Sequence, residues 1–303
     1  MKKLNYAIIL ALLAALISGI NNFLTKVAVN AVKDPLVFTT LKNILVAVFL
    51  VSMAITVKKW QEIKKLGKKQ FLLLILIGII GGSLPFALYF IGLSQTSAVN
   101  ASLIHKTLFF WIAILALPIF KEKPTRPQWL GVTLIFTANL IIGGFKGFNY
   151  NQGELMIFIA TIFWAGENIV AKIALRNISS LTVAASRMFL GSIILLIIIF
   201  FQGKTGMLFS LNQSQWQITV ITSVLLLGYV ICWYTALKHA PVTLVASLLL
   251  PATLVTNVLS AIFVTHQLNW LQIMSLAIFV LGIGLTVISV KRTSQANQEL
   301  LHA

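Results

Sequence analysis

In the stretch ASLIHKTLFFWIAILALPIF, Ala101 to Phe120, an imidazole and an ammonium stand side by side in a run otherwise fit for lipid. A lysine inside a membrane can hold an anionic group of a solute, and a histidine can titrate near neutral pH. Lys106 falls about 12 Å along its helix at 1.5 Å per residue. Half of a hydrocarbon core is about 15 Å. A charge near the bilayer centre costs at least about 2.5 kcal/mol, and such residues usually face a water-filled interior. The alternative is that the lysine stem bends back to the interface. Successive helix residues point about 100° apart. His105 and Lys106 can therefore line one wide cavity without acting as one site, and a packed, hydrogen-bonded His105 is the plainer alternative.

Glu167 is the one acid deep in an apolar run, about fourteen residues into it. A buried carboxylate takes a proton or finds a cation, which makes Glu167 the candidate for proton coupling. Lys172 is five residues on, outside the favoured spacing of three or four, so a cation from another helix, such as Lys106 or Arg187, is an equal candidate. Trp164, Glu167, Asn168 and Ala171 share one helix face. Tyr89, Trp233 and Tyr234 could form an aromatic wall of a binding site, or simply pack. Arg187 could anchor a gate or meet a carbonyl. Lys26 and Lys172 lie near the ends of their runs and could snorkel, whereas Asn22 and Asn168 suit hydrogen bonds between helices. Pro85 and Pro251 stand in mid-run, where proline removes a backbone hydrogen bond and bends a helix; such breaks line cavities in transporters. Gly78 and Gly82 form one GxxxG, the mark of close helix packing.

These residues need a scaffold, and composition says which. The 303 residues are 59% hydrophobic and 10% charged, against about 25% charged in a soluble domain. Mean hydropathy is +0.97. The solvent for most of the chain must be lipid. The net charge of +17 would suggest nucleic acid in a soluble protein, but the basic residues lie between apolar runs, which marks one face of a membrane. Cys232 is the single cysteine, so no intrachain disulfide forms. No Cys/His metal spacing appears, and no cofactor is implied. GKT at Gly203 lacks the upstream glycine of a P-loop. A membrane enzyme would need clustered His, Asp, Ser or Cys, yet the four His are scattered and Asp34 is the only Asp.

Ten apolar runs are long enough to span: 5–28, 36–57, 70–93, 98–120, 129–146, 153–175, 181–202, 215–236, 241–264 and 269–290. The start, MKKLNYAIILALLAALISG, has the make-up of a signal peptide. It is read as an uncleaved first span, because Asn21, Asn22 and Phe23 stand where a cleavage site would need small residues. With the N-terminus inside, fifteen Lys and Arg fall in cytoplasmic segments. Only Lys33, Lys146 and Lys204 fall outside. That split predicts a cytoplasmic N-terminus, and the even span number brings the C-terminus back to the same side. Trp60, Trp129, Trp216 and Trp270 lie at span ends as interface anchors. The tail SQANQELLHA is polar and expected to be disordered.

INNFLTKVAVNAV from Ile20 aligns with GENIVAKIALRNI from Gly166, matching Asn22 and Lys26 to Asn168 and Lys172. Lys42 then falls opposite Arg187, and Lys106 opposite Pro251. The repeat is about 145 residues long and holds five spans, so the second copy is inverted, as in secondary transporters. The expected fold is an all-α integral membrane protein of ten transmembrane helices in two inverted five-helix repeats, residues 1–148 and 149–292, with a short tail 293–303.

WAGENIVAKIAL, from Trp164 to Leu175, Arg187 in AASRMFLG, Pro251 in ASLLLPATLV and Glu122 in IFKEKPTRPQWLG resemble the motifs of the EamA-type transporters of the drug/metabolite transporter superfamily. The first copy keeps Asn22 and Lys26 but has Ser18 where the family has Trp, and Lys42 stands in for the arginine. Lys106 replaces the usual proline in the first half, and Gln267 replaces the acid in the second. The resemblance covers nearly the whole chain. It implies a central cavity and export of small metabolites or drugs. The intramembrane cations Lys42, Lys106 and Arg187 outnumber Glu167, which favours a carboxylate-bearing solute such as an amino acid. A lipid or lipophilic-drug flippase on the same fold is the alternative. Lys106, His105, Trp164, Asn168, Arg187, Tyr89, Trp233 and Pro251 are the candidate substrate contacts.

Overall fold

The computed structural model describes residues 2–32, 34–96, 98–122, 124–143, 147–266 and 270–302. Among them there is no strand. The helices are α1 (Lys2–Val32), α2 (Pro35–Thr56), α3 (Trp60–Lys64), α4 (Lys68–Gly82), α5 (Leu84–Leu93), α6 (Ala98–Lys106) and α7 (Leu108–Phe120). They continue as α8 (Arg126–Gly143), α9 (Gln152–Ala174), α10 (Ser180–Phe201), α11 (Gln213–His239), α12 (Val242–Ser247), α13 (Ala252–Ser260) and α14 (Trp270–His302). Eight helical stretches are long and apolar enough to cross a membrane, three of them jointed: α4 with α5, α6 with α7, and α12 with α13. The polar tail, where disorder was expected, continues α14 to His302. Its Gln, Ala, Glu and Leu residues favour helix. Lys33, Lys146 and Gln267 lie outside the described residues, as does the side chain of Lys26.

The long helices begin where the sequence offers a cap. The Asp34 carboxylate accepts from the amides of Leu36 and Val37 at 2.9 and 3.0 Å, with Pro35 in the first turn. Asn151 caps α9, Ser179 caps α10, and Asn212 and Gln215 form a reciprocal capping box on α11. Large apolar residues stand exposed around the outside, among them Phe49, Phe71, Phe200 and Leu281. A soluble monomer would not carry so much exposed apolar surface, whereas lipid covers it at no cost.

Inside, helices meet along small residues. A Cβ on Gly82 would meet the Arg187 carbonyl and the Gly191 Cα, and one on Gly191 would meet the Gly82 backbone. Gly92 stands in the same way against Gly153, and Gly131 against Gly282. Helix α1 packs along α11, and α9 along α4 and α5. Helix α2 packs on α10, and α8 on α14. Helix α1 also meets α13, as α9 meets α7; α2 meets α11, as α10 meets α4. Exchanging residues 2–143 with 152–302 sends each pairing onto another in this set, or, for α2 with α10 and α8 with α14, onto itself. Helices α8 and α14 are not among the eight; the described apolar stretch of α14 is Ile273–Ser289.

Candidate functional site

The centre of the bundle is organised by a missing hydrogen bond. The Gly81 carbonyl should accept from the amide four residues on, but that residue is Pro85, which has none. The helix breaks at Ser83, whose hydroxyl turns back to Gly78 and Ile79 at 3.2 and 3.0 Å. The freed Gly81 carbonyl takes two donors from other helices: Arg187 Nη2 at 3.0 Å and the Trp164 indole at 3.2 Å. Restoring the amide tests this. Pro85→Ala should close the helix across the joint, give residue 85 a protected amide, slow amide exchange at residues 86 and 87, and loosen Arg187. Unchanged exchange there would mean that the proline is not what frees the carbonyl.

Around that carbonyl sits the only acid described in mid-span. Glu167 is 2% exposed. It accepts a hydrogen bond from Tyr234 at 2.5 Å. Arg187, 6% exposed, lies across Gly81 from it. A Cβ on residue 81 would meet Glu167 Cγ and Cδ and Arg187 Nε. Glycine at this point lets the two charges share one space, although no ion pair in direct contact joins them among the described residues. The guanidinium also lies 5.8 Å from the Phe86 ring centroid and 5.9 Å from that of Tyr234. Arg187 Nε has no hydrogen-bond partner among the described residues.

Trp164 links this charged group to two others. Its carbonyl accepts from Asn168 at 2.8 Å, and the Asn168 side-chain oxygen accepts from the Trp233 indole at 3.1 Å. Tyr229 stacks on Trp233 at 5.8 Å. On its other side Trp164 packs against Tyr89, His105 and Phe86, with ring centroids 5.7, 4.9 and 5.3 Å away. His105 Nδ1 is buried and unpartnered among the described residues. The structure thus brings together Tyr89, His105, Trp164, Glu167, Asn168, Arg187 and Trp233. Tyr234 as the Glu167 donor, Tyr229, Phe86 and Gly81 were not singled out for these roles. A proline four residues beyond a glycine was the available signal for Gly81.

Lys106 and Pro251 stand at the matching breaks of the two halves. Lys106 is the last residue of α6, half-buried, at the end that favours a cation. No hydrogen bond or ion pair engages its ammonium among the described residues. Thr107 makes the break that a proline makes in the other half: its hydroxyl donates to the Ile104 carbonyl at 2.6 Å and accepts from the Trp111 indole at 3.1 Å. In the second half, Leu248 to Pro251 pass through tight turns before α13 begins.

The remaining intramembrane cations with described side chains, Lys42 and Lys172, have partners. Lys42, 6% exposed, donates to Asn21 Oδ1 at 2.9 Å and Thr25 Oγ1 at 3.1 Å. Asn21 makes the interhelical bond expected of Asn22, which is exposed. Asn21 precedes Asn22 as Glu167 precedes Asn168, so the amide–lysine pair of one half stands where the carboxylate and arginine stand in the other. Lys172, expected to snorkel, donates instead to the Leu237 and Ala240 carbonyls at 2.7 and 2.6 Å, closing the C-terminal end of α11. The other acids with described side chains bind backbone or hydroxyl donors at helix starts. Glu122 accepts from the Val242 and Thr243 amides at 3.1 and 3.0 Å, Glu154 from Asn149 and Tyr150 at 3.1 and 2.8 Å. No cluster of His, Cys, Asp or Glu able to hold a metal occurs among the described residues. An apolar cavity of about 550 Å³ lies beside the α6–α7 break, lined by Ile104, Thr107, Phe148, Leu155 and Phe158, with Glu154 at its rim.

Three comparisons bear on this arrangement. A crystal structure of another protein superposes with a TM-score of 0.79 over 94% of this chain and 97% of its own, at 15% identity, which shows a shared fold. An uncharacterized transporter, YyaM of Bacillus subtilis, is 30% identical over 175 residues, 54% of this chain and 56% of that one. An uncharacterized transporter of Methanothermobacter thermautotrophicus is 26% identical over 152 residues, 48% of this chain and 44% of that one. The chain spans about half the length of these curated relatives. The model of the EamA-like transporter family matches residues 5–144 and again 151–288. With two matches that together cover nearly all of it, and helices that cross the bilayer many times, the chain is a multi-pass membrane protein and belongs to the EamA-like transporter family.

Proposed function

We propose that this chain is a secondary transporter that moves a small carboxylate-bearing metabolite, an amino acid or a related solute, outward across the cytoplasmic membrane. The observation that carries the reading is the Lys106 ammonium, without a hydrogen bond or ion pair among the described residues, at the joint of a broken helix and adjacent in sequence to His105 of the Trp164 aromatic group. Such a cation offers a solute carboxylate a charge-assisted hydrogen bond. Tyr89, His105, Trp164 and Trp233 would enclose its side chain, with Asn168, Arg187 and Pro251 at the edges. Counting α8 and α14 as spans gives ten helices, and the exchange of pairings between the halves supports inverted five-helix repeats over 1–148 and 149–292. The two halves would rock about the site in alternating access. The distribution of Lys and Arg supports cytoplasmic termini. No nucleotide-binding motif supplies energy, and Glu167 is the residue through which a proton would be coupled.

Thermal unfolding of the purified chain in detergent tests this. Anionic and zwitterionic metabolites should raise the midpoint by a few degrees near saturation, cationic ones should not, and Lys106→Ala should abolish the shift. A shift that survives in Lys106→Ala removes Lys106 from the site. The apolar cavity beside Thr107 favours a second reading, a lipophilic substrate entering between α6 and α9. Indifference to every soluble solute, with stabilisation by amphipathic ones, would select it.

A further inference from the structure

The end of the bundle that carries the connection between α2 and α4 holds a cavity of about 490 Å³. Lys58, Lys59 and Lys65 line it, with Gln61, Gln70 and Asn177. Glu62, the one acid in its wall, is already engaged. Its carboxylate accepts from the Ser179 amide at 2.8 Å, the Ser179 hydroxyl at 2.6 Å and the Thr182 hydroxyl at 2.6 Å. Burial pushes the Glu62 carboxyl upward, but these hydrogen bonds, with Lys59 nearby, hold it below its ordinary value. It stays ionised and bound to the start of α10, and its single charge offsets only part of that of the three lysines, so the lining remains net positive.

The lysines stand among apolar groups. Ile55, Val57, Trp60 and Ile63 are exposed on the same turns. Lys64 lies over the Trp60 ring at 4.3 Å. Indole and aliphatic groups beside ammonium groups suit the boundary between headgroups and acyl chains. The backbone adds a further observation. Helix α2 ends in a Schellman turn, with the Lys59 amide on the Ala54 carbonyl at 2.7 Å and the Lys58 amide on the Ile55 carbonyl at 2.9 Å. The residue in the left-handed conformation of that turn is Lys58, with φ 55°, where glycine is the usual occupant. A lysine stands at a position where a side chain is disfavoured.

We propose that this cavity binds the phosphate of an anionic phospholipid, with the acyl chains leaving it past Val57 and Leu66. The three lysines supply the charge complement, and Gln61, Gln70 and Asn177 supply neutral donors. A lipid, rather than a free phosphate, is the occupant because Val57 and Leu66 line the cavity beside the lysines and exposed apolar side chains continue on the neighbouring turns. Through Glu62 the site is tied to the N-terminus of α10, so an occupied cavity braces a connection of the first half against a helix of the second.

The test uses the full chain purified in detergent, with phosphatidylglycerol, phosphatidylcholine and glycerol phosphate as probes. Thermal midpoint and lipid retention in native mass spectrometry are the readouts. Phosphatidylglycerol should be retained and should raise the midpoint, and phosphatidylcholine and glycerol phosphate should not at equal concentration. Lys58→Gln/Lys59→Gln/Lys65→Gln should weaken phosphatidylglycerol retention roughly tenfold or more. Lys68→Gln/Lys69→Gln, which removes charge outside the cavity, should weaken it much less. Lys58→Gly separates binding from folding: it relieves the turn, so the lipid-free midpoint should hold or rise while retention falls. Equal weakening by both sets of lysine changes, equal stabilisation by phosphatidylcholine or glycerol phosphate, or full retention in the triple variant would each overturn the proposal.

Discussion

Arg187→Leu is expected to cost about 3–5 kcal/mol, the range for removing one member of a buried charged arrangement, and to leave little monodisperse protein. The substitution removes the donor to Gly81 and the cation beside Glu167 together. It leaves a carboxylate 2% exposed, with Tyr234 as its hydrogen-bond donor. Total stability of a folded domain is about 5–15 kcal/mol, so the loss is a large part of the whole. The double variant Arg187→Leu/Glu167→Gln removes both charges and should be more stable than Arg187→Leu alone, because an unpaired buried charge costs more than a buried amide. Midpoints of the two single variants and the double, taken as a cycle, measure the coupling. Strict additivity would mean that Glu167 and Arg187 do not act on one another.

Gly191→Ala is expected to cost about 2–3 kcal/mol, at the upper end for overpacking. The added methyl would meet the Gly82 carbonyl carbon, oxygen and Cα, all backbone atoms that cannot swing aside. Helices α4 and α10 would have to part, and with them Gly81 and Arg187. Gly284→Ala is the control. Nothing lies within 4 Å of a Cβ built there, so the same change should be neutral or stabilise by up to about 1 kcal/mol through helix propensity. Equal midpoints for the two variants would show that the α4–α10 crossing is looser than its geometry.

The helices were legible because lipid demands one thing of a span, a long apolar run, and the runs around Leu74 or Ile194 have no other reading. The repeat was legible for a related reason. Asn22/Lys26 and Asn168/Lys172 keep a spacing that survives in sequence even where the roles diverge. What spacing could not give was the partner of each polar group. Glu167 and Tyr234 are 67 residues apart, and only the packing of α9 near α11 decides that they meet. The same limit hid Asn21, one position from the residue chosen, because a helix turns about 100° per residue and the alignment did not say which of two neighbouring amides faces Lys42. The acceptors of Lys172 were not legible because they are backbone carbonyls, which every residue carries and no sequence pattern marks. Pro85 was recognised as a break, but what the break releases is visible only once Trp164 and Arg187 are in place around it.

The atom at the centre of this arrangement belongs to the main chain. Trp164 and Arg187, both from the second half, hold a peptide oxygen of the first. A systematic alanine scan would therefore reach the junction only indirectly: it would record the loss of each arm, crowd the acceptor at residue 81, and withdraw it only through Pro85→Ala. Residue 81 can change identity and still present the same oxygen, so genetic drift at that position cannot remove the acceptor, only crowd it. The heritable control over the junction lies four residues away, in a ring whose nitrogen carries no hydrogen and whose bulk turns the i−4 carbonyl aside.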